Sequence, residues 1–578
     1  TINFGFGDFI FKTPNGEVVD HVTDIEGLKN AIQTIPEESL EFHASSNHFS
    51  NWLAARGEFI LASKIRPLNY RDFKDSNEHR KFLIQLVTEA IDLKKETYVV
   101  EFEPENFDSR KNFMRICPGS LGGKARGIAF SNSLLSEGEL ENEFPNVRSH
   151  VLDTVIPASI KEISEKLEPN KTLFFVSSKS GSTIETLSLE SHFRSLRKPE
   201  TKYSGNRRNF IALSDPETPL SERARAGEFG TWVSTPKDVG GRFSALSAFG
   251  MVPAAAAGLD IRKFAQYSGL MAERCRSDSI DNPGLALGAF MAANALKGRD
   301  KVTLITPKKY SAFAMWIEQL LAESTGKNGK GLIPIVNEPI LNPVHYGNDR
   351  QFIFFHPNGD ESEDTDRMAE LNSAGHPVFI VKPFTPDIHE IAAEFFRWQF
   401  ATATASAIMG IYPFDQPDVE ISKIKAQIIL SEDRSDIKAS DLAQGLHAIR
   451  AHIPPHYVAL TAFMPESNAL TETFMELRTA ISEKTGVATT FGYGPRYLHS
   501  TGQLYKGGPN NLSVLCFVSG KYDDLPVPNT SYTFGELTRA LAEGDFDAMS
   551  QHGQNVNQFR LGHKAVEELK YEIHESFG

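Results

Sequence analysis

The sequence predicts an α/β protein built around parallel sheets. Between residues 112 and 300, strand-like stretches such as 173–178 and 209–215 alternate with helical stretches. The same alternation returns over 301–430 and finishes with a long helix that is expected to end at Gly410. Because such alternation builds a parallel sheet covered by helices on both faces, each range is predicted to form a doubly wound domain.

Four regions follow from these patterns along the 578 residues, a length that provides for several hydrophobic cores. They are an N-terminal α+β region at 1–111, parallel-sheet domains at 112–300 and 301–430, and a C-terminal α/β unit at 431–578. The first region mixes short strands with helices whose apolar residues recur at helical spacing. The last region carries strand-like stretches at 457–464 and 512–520, and it is predicted to cap the two sheet domains.

The charge and composition of the chain argue against nucleic acids and membranes as partners. The chain has a formal net charge of −14, and nucleic acids and anionic membranes are bound through basic patches, so neither is expected as a partner. No apolar stretch approaches membrane-spanning length, and the first residues lack a signal-peptide pattern, so a cytoplasmic protein is expected. The cysteines, Cys117, Cys275 and Cys516, are far apart, and their spacing indicates neither a zinc site nor a disulfide framework.

The stretch "VSSKSGSTIET" at 176–186 suggests an anion site. A strand that runs through hydroxyl side chains into a helix offers N–H groups, hydroxyl donors and the positive end of a helix dipole. Gly181 would let the backbone approach a ligand closely. The structural alternative is an ordinary helix start capped by Ser182 or Thr183.

Two later stretches carry groups suited to proton transfer. In "DVGGRFSALSAFG", glycines precede Arg242, and an arginine there can face a developing oxyanion. In "WIEQLLAESTGK", Gln319 and Glu323 lie four residues apart on one face of a helix, near its end, where a carboxylate can act as a base. The structural alternatives are a turn with a surface arginine and an amphipathic helix with a solvated glutamate.

Two further stretches concentrate polar groups. "YPFDQPDVEISK", which contains Gln416 and Lys423, follows the end of a helix and reads alternatively as a polar loop and helix start. The glycine-rich stretch 492–511 carries Arg496, His499 and Lys506 without metal-ligand spacing. It is too rich in ionisable groups to be a simple connection.

Taken in order, SSKSGSTIET, GGRFSALSAFG, QLLAESTGK and FDQPDVEISK resemble the glucose-6-phosphate isomerase family over roughly 150–578. "GPRYLHSTGQLYKGGPN" resembles the branch often fused behind a transaldolase. The resemblance implies two sugar-isomerase (SIS) domains, each a doubly wound sheet, with the active site between them. It also implies a phosphosugar substrate and a homodimer, because the site usually lies across a dimer interface.

The resemblance assigns residues to steps of aldose–ketose isomerisation. Arg242 matches the arginine that stabilises the cis-enediolate, Glu323 the base that moves a proton between C2 and C1, and Gln319 its neighbour. Gln416 matches a substrate-contacting glutamine, and Lys423 matches a lysine linked with ring opening. The positions matching those that hold the sugar phosphate are Ser178, Lys179, Ser180 and Thr183. This set requires neither a metal nor a cofactor.

The chain departs from the family at the residue that opens the sugar ring. The family usually has a histidine just before a strand of the second SIS domain. At the corresponding place the chain reads "VHYGNDRQFIFF", which puts Arg350 at the histidine's position and His345 nearby but offset. His499 in the late loop is the expected substitute.

A second departure lies at the front of the chain. The family's first βαβ unit has a glycine- and serine-rich loop that touches phosphate, and Gly119 and Ser120 are the candidates for it. Residues 1–150, and "GSLGGKARGIAF" in particular, also resemble the start of the nucleotide-binding domain of phosphoenolpyruvate synthase and pyruvate phosphate dikinase. There, glycines and a lysine such as Lys124 meet ATP phosphates. The chain is therefore a fusion, a diverged enzyme or a composite with a seam near 145–155.

Three functions are consistent with these patterns. The first is an isomerase that interconverts glucose 6-phosphate and fructose 6-phosphate. The second is a non-catalytic phosphosugar-binding SIS protein, suggested by the missing histidine. The third is an ATP-dependent phosphotransferase related to the dikinases, suggested by the glycine-rich front.

Overall fold

The computed structural model describes residues 8–23, 25–55, 59–66, 73, 75–97, 112–116, 149–196, 209–279, 281–356, 362–383, 387–432, 439–520 and 523–578. The chain divides into two compact units, Thr1–Asp108 and Ser109–Gly578. The Gly119–Ser120 loop and Lys124 lie outside the described residues. The boundaries predicted at 300 and 430 fall inside the second unit and stay predictions.

The first unit pairs a β-hairpin with helices. Strands β1 (Phe9–Lys12) and β2 (Val18–Val22) are antiparallel. The helices are α1 (Ile25–Thr34), α2 (Glu37–Ser45), α3 (His48–Ala55), α4 (Phe59–Ile65) and α5 (Ser76–Thr97). Their buried apolar residues form one core that includes Phe11, Leu40 and Val87.

Three parallel sheets are found in the described part of the second unit. The first has the order β4 (Ser149–Leu152), β3 (Asn112–Ile116), β5 (Thr172–Ser177), β6 (Phe210–Ser214), β7 (Thr231–Ser234). The second has the order β11 (Val378–Val381), β10 (Arg350–Phe355), β8 (Lys301–Ile305), β9 (Ile333–Ile335). The third has the order β13 (Ala488–Tyr493), β12 (Tyr457–Phe463), β14 (Leu512–Ser519), β15 (Asn555–Leu561).

Helices connect these strands. Before the second sheet they are α6 (Pro157–Lys166), α7 (Ile184–Ser195), α8 (Pro219–Arg225), α9 (Ala248–Ala256), α10 (Ile261–Arg274) and α11 (Pro283–Ala295). From the second sheet onward they are α12 (Ser311–Thr325), α13 (Ser362–Ser373), α14 (Ile391–Met409), α15 (Glu420–Glu432), α16 (Leu442–Ile449), α17 (Asn468–Thr485), α18 (Gly502–Gly507), α19 (Phe534–Gln551) and α20 (Ala565–Phe577).

The structure confirms the predicted α/β class, with parallel strands separated by helices. The strands of the central sheets are nearly continuous apolar runs because both of their faces are covered; every residue of β10 and β12 is buried. The long helix α14 ends as predicted, with Gly410 in the left-handed conformation at φ 68°. In the described residues, no helix is both long enough and apolar enough to cross a membrane.

The cores of the second unit do not follow the order of the chain. One cluster joins the first sheet to the third, and Phe174 and Val176 share it with Val514 and Leu541. A second cluster surrounds the second sheet and includes Trp316 and Trp398.

Candidate functional site

A cavity of about 740 Å³ lies where the carboxyl end of β5 meets the start of α15 and the loop after β13. In the first sheet, the connection from β3 leads to β4 on one side, while β5 lies on the other side. Ligands of open α/β sheets bind beside such a reversal of strand order. The predicted site residues that line the cavity are Lys179, Ser180, Thr183, Arg242, Gln416, Lys423 and His499.

The stretch 176–186 forms the strand–turn–helix that the sequence predicts, with β5 ending at Ser177 and α7 beginning at Ile184. The structural alternative, an ordinary helix start capped by a side chain, does not hold for Thr183, which is the N-cap residue of α7 but makes no side-chain capping hydrogen bond. Its hydroxyl instead pairs with Ser178 Oγ at 3.0 Å, and Ser178 Oγ accepts the backbone N–H of Gly181 at 3.0 Å. These bonds tie the turn together from within and leave the capping position of the helix to another acceptor.

Gly181 and Lys179 are fixed by contacts with the next strand–helix unit. Gly181 has φ +68°, and a Cβ there would come within 2.8 Å of Leu220 N, so the turn requires glycine for its own fold. The ammonium group of Lys179 forms a salt bridge with Asp215 and also donates to the carbonyl oxygen of Lys237 at 3.1 Å. The turn is therefore held in place before any ligand enters.

Arg242 is a buried cation at the cavity wall, 2% exposed. Its Nε donates to Ser324 Oγ at 2.8 Å and its Nη1 to Gln416 Oε1 at 2.9 Å. Its Nη2 donates to the carbonyl oxygens of Pro413 and, at 2.7 Å, Asp415. Burial lowers the pKa of the Arg242 guanidinium, and the carboxylates of Glu323 and Asp415 oppose that shift. A guanidinium in a protein stays protonated, so the cavity keeps a fixed positive charge here.

Glu323 and Gln319 contact this wall from the buried helix α12. Glu323 Oε2 lies 3.6 Å from Arg242 Nη1 and accepts a hydrogen bond from Gln319 Nε2 at 3.2 Å. Gln319 Nε2 also donates to the carbonyl oxygen of His499 at 2.7 Å. The predicted i, i+4 relation on one helix face is thus present, and it faces a cation, which excludes the alternative of a solvated glutamate.

His499 and Glu185 form a buried pair in the cavity. His499 Nε2 and Glu185 Oε1 are 3.0 Å apart, and both side chains are at most 7% exposed. Burial acts to raise the pKa of Glu185, but the hydrogen bond and charge of His499, together with the charge of Lys423, outweigh it and lower that pKa. An ionised Glu185 accepts a hydrogen bond from His499 Nε2–H and so fixes the tautomer and orientation of the imidazole.

Residues 109–346 match the family model described as phosphoglucose isomerase. The chain contains a phosphoglucose isomerase domain. The match includes β3 to β9. It also takes in 119–130, the stretch "GSLGGKARGIAF" that resembles the dikinases, and that second resemblance stays a prediction.

Relatives extend this likeness beyond the domain. The chain is 28% identical over 360 residues to a probable glucose-6-phosphate isomerase of Methanococcus maripaludis, covering 56% of this chain and 81% of that one. It is 26% identical to a glucose-6-phosphate isomerase of Rubrobacter xylanophilus, covering 55% of this chain and 82% of that one. A solved glucose-6-phosphate isomerase from Chlamydia trachomatis aligns with a TM-score of 0.45 at 18% identity, covering 63% of this chain and 76% of that one.

At the end of the phosphoglucose isomerase domain, Arg350 lies away from the cavity. It is fully buried, and its guanidinium donates to Glu338 Oε2 at 2.8 Å and to Thr303 Oγ1 at 3.0 Å. His345 contacts the carbonyl oxygen of Glu483 at 3.1 Å. Among these residues and His499, only His499 lines the cavity.

Two functional candidates, Glu185 and Asp545, were missed by sequence reasoning. Glu185 lies inside the quoted 176–186 stretch, where the hydroxyl side chains were the stronger signal. Lys506 and Asp545 form a fully buried ion pair at 2.6 Å on the cavity wall. Asp545 lies in a helix with no recognisable motif, so nothing in the sequence marks it.

The described part of the chain holds no cluster of three or more His, Cys, Asp or Glu side chains suited to a metal ion. Two predicted phosphate contacts, Gly119 and Ser120, lie outside the described residues. They stay predictions.

Proposed function

We propose that the cavity interconverts glucose 6-phosphate and fructose 6-phosphate by proton transfer through a cis-enediolate. One observation carries the proposal: the carboxylate of Glu323 lies 3.6 Å from the guanidinium of Arg242, and Arg242 lines the cavity together with Lys179, Ser180 and Thr183. A base and a fixed cation at one point are what proton abstraction beside a carbonyl requires.

The phosphate group binds at the turn between β5 and α7. Ser178, Ser180 and Thr183 offer hydroxyl donors, and α7 directs the positive end of its dipole toward the same place. Lys179 contributes charge, although its salt bridge with Asp215 also gives it a structural role. A dianion held here places the sugar chain along the cavity toward Arg242.

Glu323 then moves the proton between C2 and C1. As it takes the proton from C2, negative charge develops on the enediolate oxygens, and Arg242 is already oriented by its bonds to Ser324 and Gln416. A donor group that is fixed beforehand needs no reorganisation as the charge forms.

Ring opening precedes this step and falls to His499 and Lys423. The ring oxygen must gain a proton and the hydroxyl on C1 must lose one. His499, oriented by Glu185, is the base for the hydroxyl proton, and the ammonium of Lys423 is the acid for the ring oxygen. Both groups come from the same chain as Glu323, and they line one cavity with Lys179, Ser180 and Thr183.

The test is an isomerase assay with purified protein and fructose 6-phosphate. Wild-type protein should form glucose 6-phosphate, and Glu323→Gln should lower kcat by at least about 100-fold, the usual contribution of a general base. The matched control is Glu318→Gln on the same helix, another buried glutamate, which should retain wild-type turnover. An inactive wild type would refute the proposal.

A second candidate, phosphosugar binding without catalysis, is favoured by Arg350 at the position where the family has its histidine. Calorimetric binding of 6-phosphogluconate by a wild type without isomerase activity would support it. The phosphotransferase candidate ranks last and requires ATP binding that is lost in Lys124→Ala.

A homodimer in the cytoplasm completes the proposal. It is supported by the family resemblance, and analytical ultracentrifugation tests the dimer. A monomer with full isomerase activity would refute the dimer without refuting the activity.

A further inference from the structure

Gln503 connects two segments that carry proposed catalytic groups. It lies on the short helix α18 and is fully buried. Its Nε2 donates to the carbonyl oxygen of Gly326 at 2.9 Å and to Asp418 Oδ2 at 2.5 Å. Its Oε1 accepts the backbone N–H of Asp418 at 3.0 Å. One amide group therefore bridges the end of α12 and the residues just before α15.

The segment that contains Asp418 needs such support. Residues 411–416 form neither a helix nor a strand, and only a short 3-10 turn, Pro417–Val419, separates them from α15. Lys423 sits in the first turn of α15, five residues beyond Asp418. The residues that lead into that first turn are thus held by side-chain contacts rather than by a regular backbone ladder.

A second anchor holds the same turn from its other side. Ser422 Oγ donates to Asp545 Oδ1 at 3.1 Å. Asp545 is itself held by Lys506 Nζ at 2.6 Å and by the hydroxyl of Tyr497 at 2.8 Å. Asp545 makes one hydrogen bond to Ser422, whereas Gln503 makes two hydrogen bonds to Asp418.

The other segment that Gln503 contacts is the end of a regular, buried helix. Gly326 caps α12, whose residues from Ala312 to Thr325 are almost all buried. Gln319, one turn before Glu323, also contacts the stretch 492–511 that contains Gln503, because its Nε2 donates to the carbonyl oxygen of His499. Loss of the Gln503 amide therefore leaves Glu323 in place and frees Asp418 at the start of α15, while Arg242 still holds Pro413, Asp415 and Gln416.

We propose that Gln503 is a positioning residue that fixes the first turn of α15, and with it Lys423, against the end of α12. This inference rests on the proposed isomerase function. Gln503 touches neither the substrate nor the reacting atoms. It keeps the ring-opening ammonium of Lys423 at a set distance from the base Glu323.

The test compares Gln503→Met with wild-type protein on glucose 6-phosphate carrying hydrogen or deuterium at C2. Rates are expressed per binding site, counted by calorimetric titration with 6-phosphogluconate, so that misfolded molecules do not contribute. The kcat/KM of the variant should fall by about 10- to 100-fold, the scale set by a misplacement of about 1 Å. The deuterium isotope effect on the kcat/KM of the variant should be closer to unity than the wild-type effect, because ring opening then limits the rate. If the wild-type effect is already near unity, the variant should show the same value.

Two variants complete the design. Asp418→Ala removes only the bond between Gln503 Nε2 and Asp418 Oδ2. It should lower kcat/KM by a smaller factor, with the same change in the isotope effect, and it keeps the test available if Gln503→Met does not fold. Gln558→Met is the matched control: Gln558 is also buried in this unit, and its side-chain nitrogen makes no hydrogen bond. It should retain the wild-type kcat/KM.

The outcomes separate the two claims. A wild type that does not isomerise the substrate overturns the proposed function and this inference with it. An active wild type overturns this inference alone in either of two cases. In one, Gln503→Met keeps full kcat/KM per site. In the other, the isotope effect rises, which would place the damage at Glu323.

Discussion

Glu394 is expected to make the second unit less stable as the pH rises. This side chain lies on α14 and is fully buried beside an apolar cluster that contains Met271 and Cys275. Burial raises its pKa to about 7, Glu390 adds to the shift, and Arg397 opposes it. Arg397 Nη2 lies 3.1 Å from Glu394 Oε1, so even this contact does not offset the loss of hydration.

The sign and size follow from proton linkage. The ordinary pKa is 4.5 and the folded value is about 7, so between these values the folded state binds the proton more tightly than the unfolded state. Stability is therefore lost as the pH rises from about 4.5 through 7. At 1.36 kcal/mol per pKa unit, the penalty at pH 8 is about 3 kcal/mol. Glu394→Gln, which mimics the protonated form, should remove that penalty.

Urea unfolding of both proteins at pH 5 and pH 8 checks this expectation. Glu394→Gln should match wild type near pH 5 and exceed it at pH 8 by about 2 to 3 kcal/mol in the free energy of unfolding. Glu165→Gln, at an exposed position of α6, should change neither value. A Glu394→Gln protein whose difference from wild type does not vary with pH would refute the reasoning, as would one that is less stable than wild type at pH 8.

Three further perturbations test other parts of the site. Gly181→Ala should lower stability by about 1 to 3 kcal/mol and weaken 6-phosphogluconate binding, because of its positive φ and its contact with Leu220; an unchanged melting temperature would contradict this. Lys506→Met should cost about 3 to 5 kcal/mol by leaving Asp545 buried and unpaired, and adding Asp545→Leu should recover much of that loss in a urea titration. Arg350→Met should destabilise the fold by a similar amount yet leave kcat per binding site unchanged, whereas a selective loss of kcat would return Arg350 to the active site.

Local patterns predicted much of the fold. The stretch "WIEQLLAESTGK" is predicted to contain the end of a helix, and α12 spans Ser311–Thr325. The strands at 457–464 and 512–520 correspond to β12 and β14, whose apolar runs reflect burial on both faces. By contrast, β15 has the sequence "NVNQFRL" and lies at the edge of its sheet with several exposed positions. Its polar residues give no apolar run from which a strand could be predicted.

The site was predictable only where a motif is contiguous. The 176–186 turn and the pair Gln319 and Glu323 are local in sequence, and their spacing alone suggested their geometry. His499 and Glu185 are 314 residues apart, and no local rule brings them together. Thr183 forms its hydrogen bond with Ser178 rather than with the first turn of α7. The N-capping propensity of threonine concerns the helix alone and does not predict this contact.

The core shared by the first and third sheets affects how this chain is made. Phe174 of β5 packs in the same cluster as Val514 of β14, about 340 residues later. At typical synthesis rates, roughly 20 to 70 s pass between the appearance of these two residues. For that interval an apolar face of the first sheet has no final partner, so a nascent chain of this protein should engage chaperones until its last quarter has emerged from the ribosome.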